Sequence, residues 1–105
     1  MGAEFQALFQ QGKRLERASI IVLWRASEGP RRVGFAVGRQ IRGAVRRNRA
    51  RRRLREAYRV ARDVAPTNVD VVVIGRAAAL GAGLATLVDD MRGAFRAMAI
   101  PRSGS

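Results

Sequence analysis

The chain has no cysteine and no histidine. Without thiols there is no disulfide and no thiolate-held zinc, so nothing points to an oxidising compartment. Without imidazole the usual general base and the commonest metal ligand are both gone, and no nucleophile–base pair of the ordinary kind can be assembled. No glycine-rich phosphate loop takes their place. Long apolar runs are also missing. Stretches such as Ile20–Trp24 and Val71–Ile74 fall far below the ~20 residues of a membrane span. Met1–Ala3 shows neither the charged region nor the apolar stretch of a signal peptide, so a cytoplasmic location is expected. Acids are few, 8 against 21 basic residues, and Lys13 is the single lysine beside the arginines.

What remains is a binder's composition. Hydrophobic residues make up 48% of the 105, too many for a disordered chain, and the length suits one domain over residues 1–105 with a core at about 4–98. A formal charge of +13 repels itself in a compact state unless a polyanion offsets it. Nucleic acid is the first candidate and an anionic membrane surface the second.

Along the chain, Glu4–Gln11 reads as a short helix with Phe5, Leu8 and Phe9 on one face, stopped by Gly12. SIIVLW, Ser19–Trp24, reads as a strand. SEGPRR holds a turn signal, and VGFAV, Val33–Val37, reads as a second strand, so the two are expected to pair as a hairpin. VDVVVIG, Val69–Gly75, fits a buried strand. Arg76–Gly83 is expected to be a loop and Pro101–Ser105 a frayed end. Leu84–Met98 reads as an amphipathic helix with Leu84, Leu87, Val88, Met91, Phe95 and Met98 on one face. These elements make a small α/β sandwich.

Between them lies VRRNRARRRLREAYR, Val45–Arg59, in a segment expected to be one helix from Ala44 to about Val64, before Pro66. Ala50, Leu54, Ala57, Tyr58 and Ala61 recur at helical spacing as an apolar stripe, with Asn48, Arg52, Arg55, Arg59 and Arg62 roughly opposite. A disordered tail would show no such partition. From Arg39 to Arg62 there are eleven arginines and one glutamate. Like charges at i, i+3 and i, i+4 destabilise one another, so an ordinary solvated face would intersperse acids. Arginine also forks onto phosphate as lysine cannot. The face reads as a polyanion site.

The acids offer little chemistry. Asp89 and Asp90 are adjacent and are expected to face solvent on either side of the second helix's stripe, and Asp70 has nothing of metal-ligand spacing around it. Phe5 and Phe9 are ordinary core anchors on hydrophobic-moment grounds, or cleft residues that stack on unpaired bases. Trp24 and Tyr58 are expected to pack in the core or at its rim.

Arg32–Arg59, RVGFAVGRQIRGAVRRNRARRRLREAYR, closely resembles the signature of the protein subunit of bacterial ribonuclease P: a strand with R-hydrophobic-G, a basic loop, then A-V-x-R-N-R-x-K-R-x-x-R-E-x-[FY]-R. Its Arg-Asn-Arg falls on Arg47, Asn48 and Arg49, its basic pair on Arg51 and Arg52, its next arginine on Arg55 and its aromatic on Tyr58. EFQALFQQG and VDVVVIGR are similar to the family's N-terminal helix and later strand. The resemblance covers roughly residues 4 to 98 and implies a four-stranded sheet with three helices, order α-β-β-(β)-α-β-α, and a left-handed βαβ crossover. It implies a protein subunit without a catalytic residue of its own, working beside a catalytic RNA that cuts the 5′ leader from precursor tRNA with Mg²⁺ held mainly by the RNA. It further implies RNA contacts at Arg39, Arg46, Arg47, Asn48, Arg49, Arg51, Arg52, Arg55 and Arg59, and a leader cleft lined by Phe5, Phe9 and Leu23. The chain departs from the family's common Ser-Lys-Lys loop with Gly38, Arg39 and Gln40, and has Leu23 where some members carry an aromatic, with Trp24 pointing to the other face. A ribosomal or other structural RNA-binding protein is the alternative. A membrane-surface role fits poorly, because the Ala-rich stripe is too weak for interfacial insertion.

Overall fold

The computed structural model describes residues 10 and 12–98. Phe5, Phe9 and the Pro101–Ser105 tail lie outside them, as does all of the expected Glu4–Gln11 helix except Gln10. Four strands, β1 (Lys13–Glu16), β2 (Ile20–Ala26), β3 (Arg32–Val37) and β4 (Val69–Gly75), form one sheet in the order β1-β2-β4-β3. Among the described residues, the α-helices α1 (Ala44–Ala61) and α2 (Leu84–Ala97) accompany it, with 3₁₀ turns at Arg62–Val64 and Ala77–Leu80.

The expected β2–β3 hairpin does not form. β4 lies between the two, antiparallel to β2 and parallel to β3. The physical reason is burial: VDVVVIG is buried along nearly its whole length on both faces and belongs at the centre of a sheet. The hairpin joins β1 to β2 instead, through a tight turn in which the Arg17 amide donates to the Ile20 carbonyl at 2.8 Å. The fourth strand thus precedes β2 rather than following β3. KRLE carries only Leu15 as an apolar residue, a charged composition that suits an edge and discourages further pairing.

Alternation divides the sheet into two faces. Val22, Trp24, Val71 and Val73 pack with Leu54, Ala57, Leu87, Met91 and Phe95 into the main core under the helices. Trp24 therefore points inward, as expected, and Lys13 Nζ sits 5.2 Å from its ring centroid. The opposite face carries Leu23 and Val72, flanked by Ile21, Ala36 and Ile74. At one end of that face Arg25, Asp70 and Arg32 stand side by side in register on β2, β4 and β3. Arg32 Nε and Nη2 donate to the Asp70 carboxylate at 3.0 and 3.1 Å and Arg25 Nε at 3.4 Å.

α1 buries Ala50, Leu54, Ala57 and Ala61, the expected stripe. Tyr58 sits at its rim, edge-on to Phe35 and Phe95 at 5.7 and 6.1 Å between ring centroids, with its hydroxyl accepting from Arg31 Nε at 2.7 Å. The helix ends at Ala61, three residues short of the expectation, because the chain tightens into the 3₁₀ turn before Pro66. α2 buries Leu87, Val88, Met91, Ala94 and Phe95. Leu84, expected on that face, is exposed because it is the helix's first residue, ahead of the packed turns. Asp89 is exposed, but Asp90 is not a free solvent group: it accepts from the Ser19 amide at 3.1 Å and Ser19 Oγ at 2.5 Å. Arg17 donates to the Gly93 carbonyl at 2.9 Å, so the β1–β2 turn is fastened to α2 at two points.

The Arg32 hydrogen bonds, helped by the charges of Arg32 and Arg25, hold Asp70's carboxyl below the usual aspartate range despite its burial. A lowered folded-state value means that this stabilisation is present above the ordinary aspartate value of about 3.9 and is lost as pH falls through the folded one. Asp70→Asn should lower unfolding free energy at neutral pH by about 2–3 kcal/mol. In denaturant titrations from pH 7 to pH 2, the variant should also lose less stability on acidification than the unmodified chain.

Candidate nucleic-acid interface

The interface is built on α1, whose apolar stripe fixes which side chains are left outside. At 3.6 residues per turn, docking Ala50, Leu54, Ala57 and Ala61 turns Asn48, Arg52, Arg55 and Arg59 to solvent, and all four are exposed. Arg46 and Arg49 are exposed beside them near the helix start. Among the described residues none of Arg46, Arg49, Arg52, Arg55 and Arg59 has a salt bridge. Three of the described acids make salt bridges away from this face: Glu16 with Arg14 at 2.6 Å, Asp70 with Arg32 and Arg25, and Asp63 with Arg92 at 3.5 Å. Glu56, the one acid on α1, makes none.

Three arginines of the run are half-buried instead. Arg51 donates to Asn48 Oδ1 at 3.2 Å, which orients the asparagine within the ridge. Arg53 donates to the Ala82 carbonyl and ties α1 to the segment before α2. Arg47 turns back under the β3–α1 loop, where Nη1 donates to the carbonyls of Gly38 and Ile41 at 3.3 and 3.0 Å and Nη2 to that of Val37 at 3.3 Å. Of the nine expected RNA contacts, Arg47 is thus the one whose terminal nitrogens point into the protein.

That loop is held at both ends. The Gly38 amide donates to the Gly75 carbonyl at 2.9 Å and the Ile41 amide to the Gly38 carbonyl at 3.1 Å. Ile41 is buried with Val37 and Ala50. Gly43, at φ +89°, precedes α1, a backbone region where a side chain would be strained. Arg39, Gln40 and Arg42 are left exposed. Arg42, exposed on the same loop, was not among the expected contacts.

Leu23 sits elsewhere, on the sheet face opposite the helices, buried beside Val72. The ridge and this apolar cluster therefore lie on different sides of the sheet. No group of three His, Cys, Asp or Glu side chains among the described residues could hold a metal, and no described helix is long and apolar enough to cross a membrane.

Residues 2–99 match the family model described as Ribonuclease P. The chain is 41% identical over 97 residues to the ribonuclease P protein component of Gluconacetobacter diazotrophicus, spanning 90% of this chain and 84% of that one. It is 45% identical over 78 residues to the corresponding protein of Symbiobacterium thermophilum, spanning 72% and 68%. Among solved structures, the RNase P protein from Thermotoga maritima superposes with a TM-score of 0.80 at 28% identity, over 90% of this chain and 91% of that one.

Because Arg52 and Arg55 are exposed and make no salt bridge among the described residues, replacing both with alanine should change unfolding free energy by no more than about 0.5 kcal/mol. The same variant should elute from immobilised heparin at distinctly lower salt. Elution at unchanged salt would place the polyanion site elsewhere.

Proposed function

The chain belongs to the ribonuclease P protein family, and from that premise we propose how its surfaces divide the work of the ribonucleoprotein. As the family's protein subunit it acts with an RNA partner in tRNA 5′ processing, with the chemistry carried by RNA. The finer assignments are ours. Arg39, Arg46, Asn48, Arg49, Arg51, Arg52, Arg55 and Arg59 bind the catalytic RNA. Leu23, with Phe5 and Phe9, holds the single-stranded 5′ leader of precursor tRNA. The observation that carries this reading is the arginine ridge of α1: five exposed arginines that, among the described residues, have no salt bridge suit a phosphate backbone.

The leader assignment follows the family resemblance; on that sheet face Leu23 and Val72 are buried and Ile21, Ala36 and Ile74 are partly exposed around them, the apolar groups a base could meet there. The same reading includes the family's N-terminal helix over Glu4–Gln11, as a third helix, and a left-handed hand for the crossover from β3 through α1 to β4. It also takes the cytoplasm as the place of action. Mg²⁺ is assigned to the RNA; Asp70, the buried acid of the sheet, is already engaged by two arginines.

Reconstitution tests the whole. At low Mg²⁺ the chain should raise cleavage of precursor tRNA by its catalytic RNA, and absence of stimulation at every Mg²⁺ concentration would refute the assignment. In the same assay Phe9→Ala should weaken affinity for leader-bearing precursors while sparing mature tRNA. Equal losses for both would remove Phe9 from the cleft.

A further inference from the structure

We propose that Arg47 is a positioning residue: it latches the β3–α1 loop so that Arg39 meets the RNA, and its terminal nitrogens do not themselves bond phosphate. The inference rests on the assignment of Arg39 to the RNA made above. Arg47 lies in the most heavily charged stretch of the chain and by sequence belongs with its neighbours. Its side chain behaves differently. Both terminal nitrogens are directed at main-chain oxygens, Nη1 at Gly38 and Ile41 and Nη2 at Val37, at 3.0 to 3.3 Å.

The three acceptors are the last carbonyl of β3 and two carbonyls of the turn that follows. Converging carbonyls repel one another and need donors, and the planar fork of a guanidinium supplies several at once. A lysine ammonium keeps the charge but is a point donor that cannot span the set. Gly43 offers no side-chain cap to the start of α1, so Arg47 adds the side-chain hold to a loop otherwise fixed by the backbone bonds of Gly38 and Ile41 and by the burial of Ile41. Arg39 is exposed on the turn that Arg47 closes. Its presentation to a phosphate therefore depends on the latch beneath it, whereas Arg52 and Arg55 are presented by the helix itself.

The test is a double-mutant cycle in the full-length chain, with affinity for the catalytic RNA as readout. Arg39→Ala should weaken binding about fivefold, as loss of one exposed charge contact does. Arg47→Lys, which preserves charge, should weaken it by a similar factor. The double variant should be little worse than either single one, rather than the roughly twenty-five-fold of independent contacts. Multiplicative losses, or wild-type affinity in Arg47→Lys, would overturn the positioning role. Amide exchange gives a second readout independent of RNA: Arg47→Lys should speed exchange at Ile41, whose amide closes the turn on Gly38, and an unchanged rate would disprove the latch. If Arg39→Ala alone leaves affinity untouched, the assignment of Arg39 to the RNA fails, and the exchange rate at Ile41 still decides whether the latch exists.

Discussion

Repulsion among the arginines of α1 is the constraint around which the rest of the structure is arranged. Between Arg46 and Arg62 eight arginine pairs stand at i, i+3 or i, i+4, together unfavourable by roughly 2–4 kcal/mol at the usual cost per pair. The first turn adds to the difficulty, since it holds Arg46 and Arg47 and no acid where the helix dipole favours negative charge. What offsets this is docking. Fully burying Leu54 alone returns about 1.5–3 kcal/mol, and the alanines at positions 50, 57 and 61 let the helix approach the sheet and α2 closely. The apolar stripe keeps the segment helical, and by fixing the helix's rotation it also decides which arginines face outward.

The placement of the acids follows the same logic. A stability-driven surface would bring carboxylates to the ridge. Instead Asp70 binds Arg25 and Arg32 across the sheet, Asp90 secures the β1–β2 turn to α2, Asp63 meets Arg92 and Glu16 meets Arg14. Positive charge is relieved where it serves the fold and left unrelieved along α1. The self-repulsion that remains is a standing cost in the free protein, which RNA phosphates would remove under the proposed function.

Much of this was legible in the residues. The helical spacing of Ala50, Leu54, Ala57 and Ala61 identified both the docked and the exposed side of α1, and the RVG…RNR run identified the family. Pairing in the sheet was less accessible. β2 and β3 are neighbours in sequence with a turn signal between them, yet β4 separates them: its apolar run marks it as buried, but which strands it parts is settled only when the whole sheet assembles. β1 escaped notice since an edge strand of charged residues has no apolar alternation to display. Individual side chains were least legible: nothing in the sequence distinguishes Arg47, which turns inward to three carbonyls, from Arg52, which points to solvent, and nothing marks Asp90 rather than Asp89 as the partner of Ser19. Those differences arise only once elements distant in the chain are brought together.

The central claim is that the outward arginines of α1 neutralise RNA phosphates. It is tested most directly by the salt dependence of binding to the catalytic RNA, compared between the unmodified chain and one carrying Arg52→Gln, Arg55→Gln and Arg59→Gln. Each phosphate contact contributes roughly 0.7–0.9 to the slope of log affinity against log salt, so the account predicts a slope shallower by about two to three. An unchanged slope, whatever the affinity, would contradict it.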